Sequence, residues 1–217
     1  MKRSAAEILR EYGPFPGVDR VNGVTFDGQH VWIASGDRLN ALDPASGAMV
    51  RSIDVAAHAG TAFDGRYLFQ IAEDRILKID PKTGEVVTTI PAPGRGGDSG
   101  LAWAEGTLWV GQHRGRKIHQ IDPDTGVILR TIESNRVVTG VTWVDGALWH
   151  ATWEGDESDL RRVDPETGAV LERVEMPAGM GISGLEGGGD EQFFCGGGGS
   201  GTVRAVRRPR AAGSSSG

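Results

Sequence analysis

Short apolar runs alternate along this chain with pairs of turn-forming residues, and the alternation is periodic. Four segments align almost without gaps: NGVTFDGQHVWIASGDRLNALDPASGAMVRSI from Asn22, AGTAFDGRYLFQIAEDRILKIDPKTGEVVTTI from Ala59, SGLAWAEGTLWVGQHRGRKIHQIDPDTGVILRTI from Ser99 and TGVTWVDGALWHATWEGDESDLRRVDPETGAVLERV from Thr139, with starts 37 to 40 residues apart. In each copy an acidic residue and a glycine (Asp27-Gly28, Asp64-Gly65, Glu105-Gly106, Asp145-Gly146) stand between two apolar runs, and such a pair supplies the positive φ angles of a two-residue hairpin joining strands one and two. Asp43-Pro44, Asp80-Pro81, Asp122-Pro123 and Asp164-Pro165, each with a glycine three residues after the proline, join strands three and four: proline fixes φ, aspartate bonds the backbone ahead and glycine takes the left-handed conformation. Four short antiparallel strands per unit, repeated radially, make a propeller blade, so the predicted fold is all-β.

A fifth copy, SGLEGGGDEQFFCGGGGSGTVRAVR from Ser183, lacks its fourth strand, whereas AEILREYGP at residues 6–14 resembles the fourth strands AMVRSIDVA, GVILRTIES and AVLERVEMP. The N-terminal strand is therefore expected to pair with residues 202–207 and close the ring, removing two sheet edges that would otherwise invite aggregation. The expected organisation is one five-bladed β-propeller over residues 1–210, with blades at about 21–55, 57–92, 98–133, 138–176 and 182–207. Residues 211–217, AAGSSSG, read as a low-complexity tail or an expression scar.

Composition narrows the function classes. A formal charge of −6 leaves no broad basic face for a phosphate backbone, so nucleic acid is not an expected partner. No stretch approaches the roughly 20 apolar residues of a membrane span. Glu7, Arg10 and Glu11 interrupt any signal-peptide core, and the single thiol, Cys195, fits a reducing compartment, so the expectation is a cytoplasmic monomer.

In a propeller the innermost strands line the central channel, so equivalent positions form rings. The residue before the strand-one glycine gives Asn22, Ala59, Ser99, Thr139 and Ser183, a small polar ring. Fourteen places later (fifteen in the last copy) come Gly36, Glu73, His113, Trp153 and Gly198, where the copies diverge most. A third ring holds Ile33, Gln70, Val110, His150 and Cys195. Trp32, Phe69, Trp109, Trp149 and Phe194 recur in every copy, as Phe26, Phe63, Trp103 and Trp143 do in four, and such residues pack blade on blade. Trp153 has no counterpart, so it is a candidate for ligand stacking. His113 and His150 are read as pocket-wall histidines or as acid–base groups. Cys195 is read as an inert buried thiol or as a nucleophile beside His150. No close-spaced ligand motif marks a metal site, and no metal or cofactor is expected. The glycine run 196–199 is read as space beside the funnel.

The blade pattern resembles the glutamine cyclotransferase family, the plant-type glutaminyl cyclases. The most specific segment is VTGVTWVDGALWHATWEGD from Val138, in which Trp153 takes the place of a ligand-contacting tryptophan. The resemblance implies a five-bladed propeller whose funnel accepts an amino-terminal glutamine. It places the family's first-blade glutamine on Asn22, its catalytic glutamate on Ala59, two pocket aromatics on Glu73 and Ser99, and its asparagine on Thr139. Alanine has no proton to exchange. The expected function is thus binding of a small-molecule or peptide-like ligand without glutaminyl cyclase activity. Trp153, Asn22, Ser99, Thr139, Ser183, Gln70 and His150 would contact the ligand, and Glu73 and His113 would carry any acid–base chemistry. Two alternatives stay open: an enzyme of another class centred on His113, His150 and Glu73, and a non-catalytic scaffold that holds another protein.

Overall fold

The structure, a computed structural model, describes residues 1–189 and 191–210; the 211–217 segment lies outside the described residues. Its strands are β1 (Lys2–Ala5) and β2 (Ile8–Tyr12), then β3 (Gly23–Phe26), β4 (Val31–Leu42) and β5 (Met49–Ala57) of blade one. Blade two comprises β6 (Thr61–Phe63), β7 (Leu68–Ala72), β8 (Arg75–Ile79) and β9 (Val86–Pro91); blade three, β10 (Asp98–Ala104), β11 (Thr107–Gln112), β12 (Lys117–Ile121) and β13 (Ile128–Glu133). Blade four comprises β14 (Gly140–Val144), β15 (Ala147–Glu154), β16 (Glu157–Val163) and β17 (Val170–Glu175), and blade five β18 (Gly184–Gly188), β19 (Gln192–Gly196) and β20 (Val203–Arg207). This is a five-bladed antiparallel propeller. In blade one the second and third strands run together as β4, which turns at Gly36 with φ +58°.

The Asp-Pro turns form as expected: in each, the aspartate carboxylate accepts backbone N–H bonds from residues ahead of it, and the glycine N–H returns to the aspartate carbonyl. The two-residue hairpin is right for blades three and four only. Glu105 and Asp145 take φ near +50° there, whereas blades one and two use four-residue turns in which Asp27 and Asp64 accept two N–H bonds each. An aspartate that bonds its own turn removes the need for a strained φ at that residue.

As the repeat predicts, β2 pairs with β20 and completes blade five. Arg204 and Arg207 hold Glu11 and Glu7 across that pair at 2.6 Å, while Arg10 and the Tyr12 hydroxyl reach the Asp-Pro turn of blade one. Arg51 and Arg130 make the same reach to the turn carbonyls of the following blades, so the N-terminal strand uses the repeat's own inter-blade tie. One element was not foreseen. β1 pairs in parallel with β17 and adds a fifth strand to blade four.

The core lies between blades. Phe69 stacks on Trp103 at 5.5 Å, Trp109 on Trp143 at 5.9 Å, and Phe194 meets Phe26 at 5.5 Å, each a strand-two aromatic against the strand-one aromatic of the next blade. Blade five has Gly187 at that strand-one position, and Phe193 fills the space against Trp149. At the axis the five strand-one glycines, Gly23, Gly60, Gly100, Gly140 and Gly184, close the channel with backbone. A Cβ on Gly60 would stand 2.5 Å from the Leu101 nitrogen, and one on Gly100 2.7 Å from the Val141 nitrogen. This waist leaves no room for a water and makes a floor for whatever lies above it.

Candidate functional site

Immediately above the waist, where the innermost strands begin, is an open cavity of about 290 Å³. Its wall is Arg20 and Asn22 from blade one, His58 and Ala59 from blade two, Asp98, Ser99 and His113 from blade three, Thr139 and Trp153 from blade four, and Ser183 from blade five. The polar ring read from the repeat is therefore present, but two of its members already bond to neighbouring blades and a third bonds within its own. Ser99 donates to the Val138 carbonyl at 2.6 Å, Ser183 to the Val21 carbonyl at 2.6 Å, and the Asn22 amide to the Ala57 carbonyl at 3.2 Å. The two serine hydroxyls stitch neighbouring blades together, while the Asn22 amide keeps a second N–H. Thr139 differs, because among the described residues its buried hydroxyl has no hydrogen-bond partner.

Trp153 is half-buried at the rim, its Nε1 donating to the Gly155 carbonyl at 3.0 Å. Its indole lies against Gly181 and Gly198: a Cβ on Gly181 would collide with the ring, and one on Gly198 would stand 3.1 Å from it. The glycine run read as space thus contributes Gly198 to the seat of the one unrepeated tryptophan.

Asp98 was missed by the sequence reading. Only 7 % exposed, it accepts a 2.9 Å bond from the Gly94 N–H on Oδ2. Oδ1 makes no hydrogen bond of good geometry, the Gln112 amide standing beside the carboxyl as a polar neighbour. Burial outweighs these two groups and raises the carboxyl to about 6. The position before the polar ring is Val21, Val138 and Ile182 in three copies but His58 and Asp98 in two, and that break in an apolar ring was the available signal. Arg20 was missed as well.

The other candidates disperse. His113 lines the cavity with an exposed ring, its basicity lowered by partial burial and by Arg114 against the pull of Glu154. Glu73 occupies the two-residue turn between β7 and β8 with φ +56°, exposed and off the cavity wall. Gln70 is buried behind Ala59, to whose carbonyl it donates at 3.1 Å. His150 faces a separate cavity between blades three and four, so His113, His150 and Glu73 do not converge. Burial pushes the Cys195 thiol up to about 12, which keeps it protonated and favours the inert reading. Among the described residues no three His, Cys, Asp or Glu side chains cluster as a metal site would require.

The ring of blades, the closed waist and the rim tryptophan bear comparison with solved propellers. The fold is shared with a glutaminyl cyclase. The enzyme from Myxococcus xanthus superimposes with a TM-score of 0.79 at 19 % identity, over 95 % of this chain and 97 % of that one. More distant matches are the WD40 β-propeller domain of Doa1 (TM-score 0.57, 16 % identity, 90 % and 66 % of the two chains) and Kuenenia stuttgartiensis hydrazine synthase (0.52, 18 %, 82 % and 56 %). No family model matches the sequence, and no curated protein is similar to it. The chain is a glutaminyl cyclase-like five-bladed propeller in fold.

Proposed function

We propose that the funnel binds a small polar or peptide-like ligand that presents N–H groups, amine or amide, to Asp98 and Thr139 and lays its body against Trp153. The observation that carries this reading is that Asp98 and Thr139, both residues of the wall of an open cavity, each have a buried oxygen, Oδ1 and Oγ1, without a well-formed hydrogen bond among the described residues. Unpaired buried acceptors cost roughly 1–3 kcal/mol each, a cost that a bound donor removes. The hydroxyl donors of Ser99 and Ser183 are engaged with the neighbouring blades and one Asn22 N–H with Ala57, so within this part of the wall Asp98 and Thr139 are the groups left to meet a ligand's N–H. An open cavity also speaks against a pure scaffold, which has no use for one.

Asp98, raised to about 6, exchanges a proton close to neutral pH, and it takes the part in acid–base chemistry that the sequence assigned to Glu73 alongside His113. Glutamine cyclisation is expected to be absent, because the family resemblance places the catalytic glutamate position on Ala59. The test is calorimetric titration of glutaminyl-glycinamide into the wild type and Asp98→Asn between pH 5 and 7.5. Affinity rises through about pH 6 as Asp98 ionises, and the variant binds roughly tenfold or more weakly with no pH step. Equal binding by the variant contradicts the role of Asp98, and conversion of the compound to pyroglutamyl-glycinamide with loss of ammonia by the wild type contradicts the absence of cyclisation.

A further inference from the structure

The third ring of the repeat points away from the funnel, and at His150 it opens onto a second cavity. This space, about 380 Å³, lies between blades three and four and is walled by Ile118, Ile132, Val163 and Val170, with Glu133, Ser134 and Asn135 at its edge. Its size is within the range of small-molecule pockets. Equivalent positions in blades one and three hold Ile33 and Val110, so the propeller has no structural need of an imidazole here. An imidazole where blades one and three carry aliphatic side chains, 2 % exposed, costs stability unless something bonds to it.

The chemistry of the wall narrows the occupant. His150 Nδ1 is 3.4 Å from the Ala151 carbonyl, an acceptor only, so Nδ1 carries the proton and Nε2 is left as an acceptor. Among the described residues Nε2 has no hydrogen-bond partner. Burial and the neighbouring Arg161 guanidinium lower the imidazole to about 4, so it is neutral at physiological pH. Arg161 is directly opposite His150 across the strand pair and is held by Asp159 at 2.7 Å and by Asn135 at 2.6 Å. Arg161 stands behind the wall and is already paired, and Glu133, the charged group on the wall, is exposed and paired with Lys117 at 3.3 Å, so neither charge is free to take up a charged guest.

We propose that the cleft between blades three and four is a second binding site, for a compact uncharged aromatic molecule with a single hydroxyl donor, a phenol, whose O–H bonds Nε2 of His150 while its ring packs on the four aliphatic side chains. The site is independent of the funnel. Its test compares phenol with toluene, the same shape without the hydroxyl, by NMR titration that follows the His150 imidazole resonances. Phenol shifts those resonances and binds about tenfold more tightly than toluene, the worth of one buried hydrogen bond. In His150→Val, which copies the residue of blade three, the two compounds bind alike. Equal affinity of phenol and toluene for the wild type overturns the proposal, as does phenol binding that leaves the His150 resonances unmoved or no binding at all. The wild-type comparison decides the matter even if the variant does not fold.

Discussion

A methyl carbon added at Gly100 would stand 2.7 Å from the Val141 nitrogen, so Gly100→Ala pushes two innermost strands apart. Overpacking of this kind costs typically 1–3 kcal/mol, and urea denaturation of the variant is expected to show a loss of about that size with the spectrum of the fold retained. Two residues past the waist Glu186 makes a tie of another kind: its carboxylate accepts from Thr142 of blade four, Thr25 of blade one and its own neighbour Gly187. Burial outweighs these donors and raises the carboxyl from 4.5 to about 7. Between those two values the folded protein holds a proton that the unfolded chain has released, so this group's contribution to stability falls as pH rises across the window. Glu186→Gln removes that slope. Denaturation at pH 4.5 and 7.5 should show the wild type losing ground to the variant at the higher pH, and an unchanged difference would contradict the assignment. Neither Glu186 nor Asp98 was legible as a perturbed group, because a sequence shows residue type without burial. At Asp98 a register shift between Asp98 and Gly100 adds to the difficulty, since a bulge re-aims side chains and breaks the alternation from which facing is read. Glu73 was misplaced for a related reason: the offset of fourteen places ignores that the β7–β8 turn has two residues where the β11–β12 turn has four.

Among the elements, the turns and the closing strand β2 were readable because each copy repeats their chemistry. β1 was not. Lys2-Arg3-Ser4-Ala5 has no apolar alternation, and in the structure it is almost wholly exposed on the rim of blade four, held by backbone pairing and a 3.0 Å ion pair from Lys2 to Glu172. Solvated strands leave no hydrophobic pattern to read. The first twelve residues consequently touch three blades: four through β1, five through β2, and one through Arg10 and Tyr12. Removing residues 2–5 should lower the melting temperature by a few degrees, because it takes away only an exposed edge strand. Removing residues 2–12 also exposes β20 and frees blade one from its tie, so cooperative thermal unfolding should be lost. Circular dichroism melts of the two truncations separate these outcomes, and similar melts would show that β2 does not hold the ring.

For the whole molecule, the repeat period fixed blade number and closure order, while the site depended on details that vary between copies. All five members of the small polar ring and Trp153 do line the funnel, yet the Ser99 and Ser183 hydroxyls serve to join blades. What remains for a ligand is a closed floor of glycine backbone, the face of an unrepeated tryptophan and two unpaired oxygens from neighbouring blades. Trp153→Ala should weaken binding of glutaminyl-glycinamide about fivefold, on the ~1 kcal/mol scale of aromatic contacts, with no change in its pH dependence. The most direct measurement is a crystal structure of the protein soaked with that compound. The expected density places its amine within hydrogen-bonding distance of Asp98 Oδ1 and Thr139 Oγ1 with the rest of the molecule across Trp153. A funnel that stays empty at saturating ligand, or a ligand whose N–H groups turn away from Asp98 and Thr139, would contradict the account.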